Sequence, residues 1–145
     1  MKGRRMKTLR PFVIVVLMIP FIMGMGAGTG GNVSPGKIPV PDRSFTGICI
    51  DQMDVATNCT DISIEGKTFV EGKMGEGTYT VDFQNIGSID FLSAGDNMVG
   101  RLQLNDGIKE LRMNGNSRVY GRTEYGTFQI KLSHLKRIVF VSSEQ

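Results

Sequence analysis

The chain has 145 residues, enough for one folded domain once any targeting segment is set aside, and carries 17 Lys and Arg against 14 Asp and Glu. Five of those cations (Lys2, Arg4, Arg5, Lys7 and Arg10) stand in the first ten residues, so the remainder holds 12 against 14 and is slightly acidic. No basic excess is left to neutralise phosphates, which excludes a nucleic-acid binder that works by net charge.

The basic start is followed by an apolar run from Pro11 to Met23 and by small residues at Gly24, Gly26, Ala27 and Gly28. Charged start, apolar centre and small-residue exit, in that order, predict a signal peptide over residues 1–28. The alternative is a retained N-terminal membrane anchor: the 17 residues from Phe12 to Gly28 form an apolar helix at the short limit for spanning hydrocarbon. Either way the bulk of the chain is expected outside the cytoplasm, in the periplasm, at the cell surface or secreted. If uncleaved, residues 11–28 tether it to the inner membrane and provide its only membrane contact. Residues 29–44, with Gly30, Gly31, Pro35, Pro39 and Pro41, read as a Gly/Pro-rich linker.

From Phe45 onward the sequence repeats. At an offset of 49, Gly72, Gly77, Thr78, Ile89 and Phe91 meet Gly121, Gly126, Thr127, Ile138 and Phe140. Tyr79, Val81 and Phe83 meet Phe128, Ile130 and Leu132, and upstream Ile62, Ile64 and Gly66 meet Leu111, Met113 and Gly115. Further back the same offset sets Met53 and Val55 over Leu102 and Leu104. The folded part is thus two tandem units, 45–92 and 93–141. Within each unit, apolar and polar residues alternate with a period of two, the pattern of half-buried strands. Asn105-Asp106-Gly107 marks a hairpin, Gly66 and Gly115 mark further turns, and Gln84–Ser88 and Ser133–Arg137 suit a single tight turn before a last strand. The prediction is all-β: two pseudo-symmetric units of four to five short antiparallel strands forming one small barrel or a two-sheet sandwich, because closure removes exposed edges.

Cys49 and Cys59 are the only cysteines, and an even count in an exported chain favours a disulfide. The repeat argues the other way. At the same offset they fall on the apolar positions Met98 and Ile108, and the second unit's hairpin register, carried back, pairs Cys59 near Val55 and leaves Cys49 roughly 20 Å away. Two buried thiols are the competing reading. His134, the one histidine, sits at a turn position, with no nucleophile and carboxylate beside it in sequence to make it a catalytic base. The acids are spread along the chain without a calcium-loop spacing, and the Gly72-Gly75-Gly77 series precedes a strand rather than the helix that a phosphate cradle needs. No cofactor or metal is implied.

Phe69, Tyr120 and Tyr125 lack aromatic mates in the other unit, which marks them as a candidate contact surface. Lys131 with the basic pair Lys136 and Arg137 suits either an anionic partner or an edge guard. The expectation is a non-enzymatic β module of the cell envelope that binds, adheres or assembles, with an envelope protein or a glycan as partner and a homo-oligomer as one form. Its alternative is a small barrel carrying a hydrophobic ligand, and a hydrolase comes third.

Overall fold

The structure, a computed structural model, describes residues 37–94 and 97–141. The leader, the expected N-terminal helix and the first half of the 29–44 linker, residues 29–36, lie outside the described residues. Among the described residues no helix is long and apolar enough to cross a membrane.

The alternating stretches form ten strands: β1 Gly47–Asp51, β2 Ala56–Ile64, β3 Phe69–Met74, β4 Gly77–Asp82, β5 Ile86–Ala94, β6 Asn97–Leu104, β7 Gly107–Met113, β8 Arg118–Thr123, β9 Gly126–Lys131 and β10 Leu135–Phe140. Each unit contributes five. The two expected tight turns are short 3-10 turns, Phe83–Asn85 and Leu132–His134, which precede β5 and β10. Asp82 caps the first, its Oδ1 accepting from Gln84 N at 2.9 Å, whereas Lys131 offers no side-chain cap to the second.

All ten strands join in one curled antiparallel sheet, a half-barrel, in the order β4-β3-β7-β6-β5-β10-β1-β2-β8-β9. Replacing each strand by its mate in the other unit reverses that order, so a pseudo-twofold axis passes between β5 and β10. There Ile89 pairs with its own repeat mate, Ile138. The units are interleaved rather than side by side: β3 of the first pairs with β7 of the second, β8 with β2, and β1 with β10. Closure, expected from the edge-strand argument, is not how the sheet ends. It is neither a closed barrel nor two stacked sheets, and β4 and β9 are its outer strands.

One face carries the core. Ile62, Val70, Ile89, Leu102, Val119, Leu135 and Ile138 are fully buried, drawn from both units, and each such side chain contributes about 1.5–3 kcal/mol relative to exposure. Phe45, Phe83 and Phe140 pack at one end with ring centroids 5.5, 6.2 and 4.8 Å apart. Glycines let the strands approach where the core residues are thickest. Gly47 and Gly121 flank Cys59 from the neighbouring strands, and Gly100 and Gly72 flank Leu111 in the other half.

Pairing partners correct the repeat alignment upstream of Gly66. Cys49 pairs with Ile138 and Leu102 with Ile89, so Cys49 is the mate of Leu102. Gly47 pairs with Cys59 and Gly100 with Leu111, so Cys59 is the mate of Leu111. Met53 and Val55 sit on the β1–β2 turn and are exposed, at 84% and 55%, instead of lying over buried Leu102 and half-buried Leu104.

Candidate functional site

The repeat offset changes by one residue at the β1–β2 turn and by three beyond Thr60, and at this second place the pairing itself loses its pseudo-symmetry. Thr60 on β2 pairs with Arg122, and Lys73, the mate of Arg122, pairs with Arg112. Thr60 and Arg112 are therefore equivalent positions, but β2 runs on through Ile64 while β7 stops one residue later at Met113. The extra length lets β8 continue along β2, with Ser63 opposite Tyr120 and Ile64 opposite Val119. Asp61, at φ 51°, absorbs the resulting bulge. Beyond it Glu65 N donates to Arg118 O at 2.9 Å, and Arg118 N donates to the Glu65 carboxylate. On the other side, β7 turns away at Asn114, whose Oδ1 accepts from Asn116 N at 3.0 Å, and β3 keeps a single paired position.

The divergence of β3 from β7 opens a groove of about 630 Å³. Its floor is apolar, made by Ile64, Phe69, Met113 and Leu132, and its rim carries Lys67, Lys73 and Arg112 against Glu65 and Glu71. Lys67 Nζ lies 5.4 Å from the centre of the Phe69 ring, a cation–π contact that holds the ammonium over the groove floor. Arg112 Nη2 donates to the Gly75 carbonyl at 3.0 Å, which pins the guanidinium to the β3–β4 turn. With three cations against two carboxylates, the balance is cationic above an apolar base. Such a surface suits an amphiphilic segment bearing a carboxylate or another anionic group.

The residues singled out from the sequence do not converge. Phe69 lies in this groove, half-buried. Tyr120 is buried across from Ser63, which corrects its expected place on a contact surface; the Ser63 hydroxyl is fully buried and has no hydrogen-bond partner among the described residues. Tyr125 is 91% exposed at the β8–β9 turn, where the Glu124 carboxylate raises its phenol above the ordinary range. It borders a second cleft, of about 760 Å³, with Thr57, Asn58 and Arg122. Lys131 ends β9 opposite Arg118. Lys136 and Arg137 line a third, of about 460 Å³, and both are engaged, with Asp54 and Asp90 respectively. The hydrogen bond to Asp90 holds the Arg137 guanidinium still more firmly protonated. His134 is exposed, its carbonyl accepting from Gln52 N at 3.0 Å. Among the described residues no three His, Cys, Asp or Glu side chains are grouped to hold a metal. The rim cations Lys67, Lys73 and Arg112 were not visible as a set in the sequence, where the offset of 49 runs through Ile62, Ile64 and Gly66 without a gap.

Cys49 and Cys59 are neighbours, not distant. Gly47 pairs with Cys59, so the two cysteines stand diagonally on adjacent strands and on one face, both buried and both reduced. Their thiols hydrogen-bond. That bond, with burial added, pushes Cys49 far above the ordinary thiol range, and the same bond lowers Cys59, which burial opposes.

No curated protein and no solved structure matches the chain. A protein-family model does: residues 41–143, the whole of the sheet and well over half of the sequence, match the family described as "Uncharacterised protein", and the chain belongs to that family.

Proposed function

We propose that the chain is an exported, non-enzymatic β module of the cell envelope, a binding or assembly subunit whose contact surface is the groove between β3 and β7. The observation that carries the reading is the local loss of pseudo-symmetry. The strand order is repeated across the pseudo-twofold axis, and the seam where β3 parts from β7 combines an apolar floor with an excess of cationic side chains. A core filled by Phe83, Ile62, Ile89 and Leu102 at 0–1% exposure supports a rigid scaffold over a hydrophobic-ligand carrier. The matching partner is an envelope protein or glycan presenting an anionic group beside an apolar one.

Export also bears on the thiols. In an oxidising compartment Cys49 and Cys59 lie within reach of thiol–disulfide exchange during folding. Two thiols would then be replaced by one disulfide while the oxidant, itself a protein or small-molecule disulfide, is reduced to its dithiol form. The test is the intact mass of the natively expressed protein recovered from the cell envelope, measured under denaturing and native conditions. A chain beginning near Thr29, lighter by two hydrogens and free of bound small molecule, is the expected result. Recovery in the cytoplasm with the leader intact overturns the export reading, and a stoichiometric apolar ligand in the native spectrum favours the carrier.

A further inference from the structure

We propose that the chain self-associates edge to edge, β4 of one copy pairing antiparallel with β9 of a second; the inference rests on, and makes specific, the assembly role proposed above.

Among the described residues nothing pairs with the outer side of either strand. Natural edge strands are usually guarded by charges, prolines or bulges. Here Gly77–Val81 and Gly126–Ile130 hold no charged residue and no proline, and both run in unbroken register with their inner neighbours. The backbone of both edges is turned outward at the same positions. Phe83 N donates inward to Thr68 O at 3.0 Å and Leu132 N to Ser117 O at 2.8 Å, and the alternation of an antiparallel ladder then directs the N–H and C=O of Thr78 and Thr80, and of Thr127 and Gln129, away from the sheet.

Topology and charge select the partner edge. Strand directions alternate through the ten-stranded order, so β4 and β9 run oppositely. A second copy placed beyond β4 by continuing the sheet therefore presents its β9 antiparallel, with the apolar faces aligned. In the register that sets Thr80 against Thr127, Tyr79 meets Phe128, and Glu76 at the β4 turn meets Lys131 of the second copy. An aromatic pair and an ion pair fall together. Pairing β4 with β4 about Tyr79 sets Glu76 against Asp82 twice, a like-charge juxtaposition, and pairing β9 with β9 leaves Lys131 without a carboxylate. The favoured contact is heterologous, and such a contact extends into a chain or closes into a ring.

The test uses the full chain, expressed with its leader and purified in the form the cell leaves it, with two single substitutions that remove one outward N–H each: Thr80→Pro on β4 and Gln129→Pro on β9. Sedimentation velocity across a wide concentration range reads the outcome. The wild type is expected to rise beyond twice the monomer mass, each variant alone to stay monomeric, and a mixture of the two to form a one-to-one dimer that grows no further, because each supplies the edge the other lacks. A monomeric wild type overturns the proposal. So does a dimer formed by Gln129→Pro alone, which would mean β4 with β4, or by Thr80→Pro alone, which would mean β9 with β9. If a proline variant fails to fold, amide exchange on the wild type decides: Thr78, Thr80, Thr127 and Gln129 should gain protection as concentration rises, and concentration-independent exchange there refutes the contact. A monomer that still binds an envelope partner through the groove keeps the functional reading and loses only this inference.

Discussion

Glycine at position 47 is where the interleaved architecture is most exposed to a single methyl group. A Cβ built there lies 2.4 Å from the Val139 carbonyl oxygen and 3.0 Å from Ile62 Cδ1. The oxygen belongs to β10, the strand that joins the first unit to the second, and it cannot rotate out of the way. Gly47→Ala should therefore cost towards the upper end of the overpacking range, about 3 kcal/mol. Gly100, its mate, meets Met113 Sδ at the same 2.4 Å, but a thioether at the end of a flexible side chain can swing aside, so Gly100→Ala should cost under about 1 kcal/mol. Gly87 supplies the control: its Cβ would come no closer than 3.8 Å to Gln103 O, and Gly87→Ala should be neutral or gain about 0.5 kcal/mol from the stiffer unfolded chain. For a domain of this size each kcal/mol moves Tm by roughly 4–8 °C, so Gly47→Ala should melt about 12–28 °C below Gly87→Ala, with Gly100→Ala between. Thermal unfolding followed by circular dichroism reads all three. Equal melting of Gly47→Ala and Gly87→Ala would refute the close β1–β10 approach and with it the corrected repeat alignment.

Two further outcomes follow from buried groups. Ser63 carries a hydroxyl that is fully buried without a partner, so Ser63→Ala should leave stability unchanged or raise it by about 1 kcal/mol, and a loss above 1 kcal/mol in denaturant titration would mean that the hydroxyl is bonded after all. If Cys49 and Cys59 are oxidised as proposed, reduction should lower stability by about 2–3 kcal/mol, the entropy of a closed loop of roughly ten residues; Cys59→Ser should abolish the sensitivity, and identical melts with and without reductant would show the thiols unbonded.

Much of the fold was readable because it rests on periodicity. Downstream of Gly66, glycines and alternating apolar residues fix turns and faces, and Val70/Val119, Phe83/Leu132 and Ile89/Ile138 occupy equivalent buried places. Upstream, the same periodicity misleads. Sliding β1 by four residues, from Met53 to Cys49 over Leu102, preserves every inward and outward position, so alternation cannot distinguish the two registers. Cysteine added to the difficulty: read as chemistry, Cys49 and Cys59 look special, whereas in the core they take the places of Leu102 and Leu111 as small apolar residues. The open sheet edges were not foreseen because edge avoidance is a tendency that assembly can satisfy as well as closure. The groove was beyond reach for a different reason. It arises from a difference in length between β2 and β7, felt by strands from the opposite units, and Lys67, Lys73 and Arg112 become neighbours only through that long-range pairing.

The claim that this groove is the working surface is tested most directly by photocrosslinking in the living cell. A photoreactive phenylalanine analogue would be placed at Phe69 on the groove floor and, as control, at Gln103 on the exposed side of β6. On irradiation the Phe69 position should yield a discrete adduct with an envelope component, the Gln103 position none, and Lys73→Glu with Arg112→Glu should abolish the adduct without lowering the melting temperature. Equal labelling at both positions, or a Phe69 adduct indifferent to the charge reversals, would contradict the account.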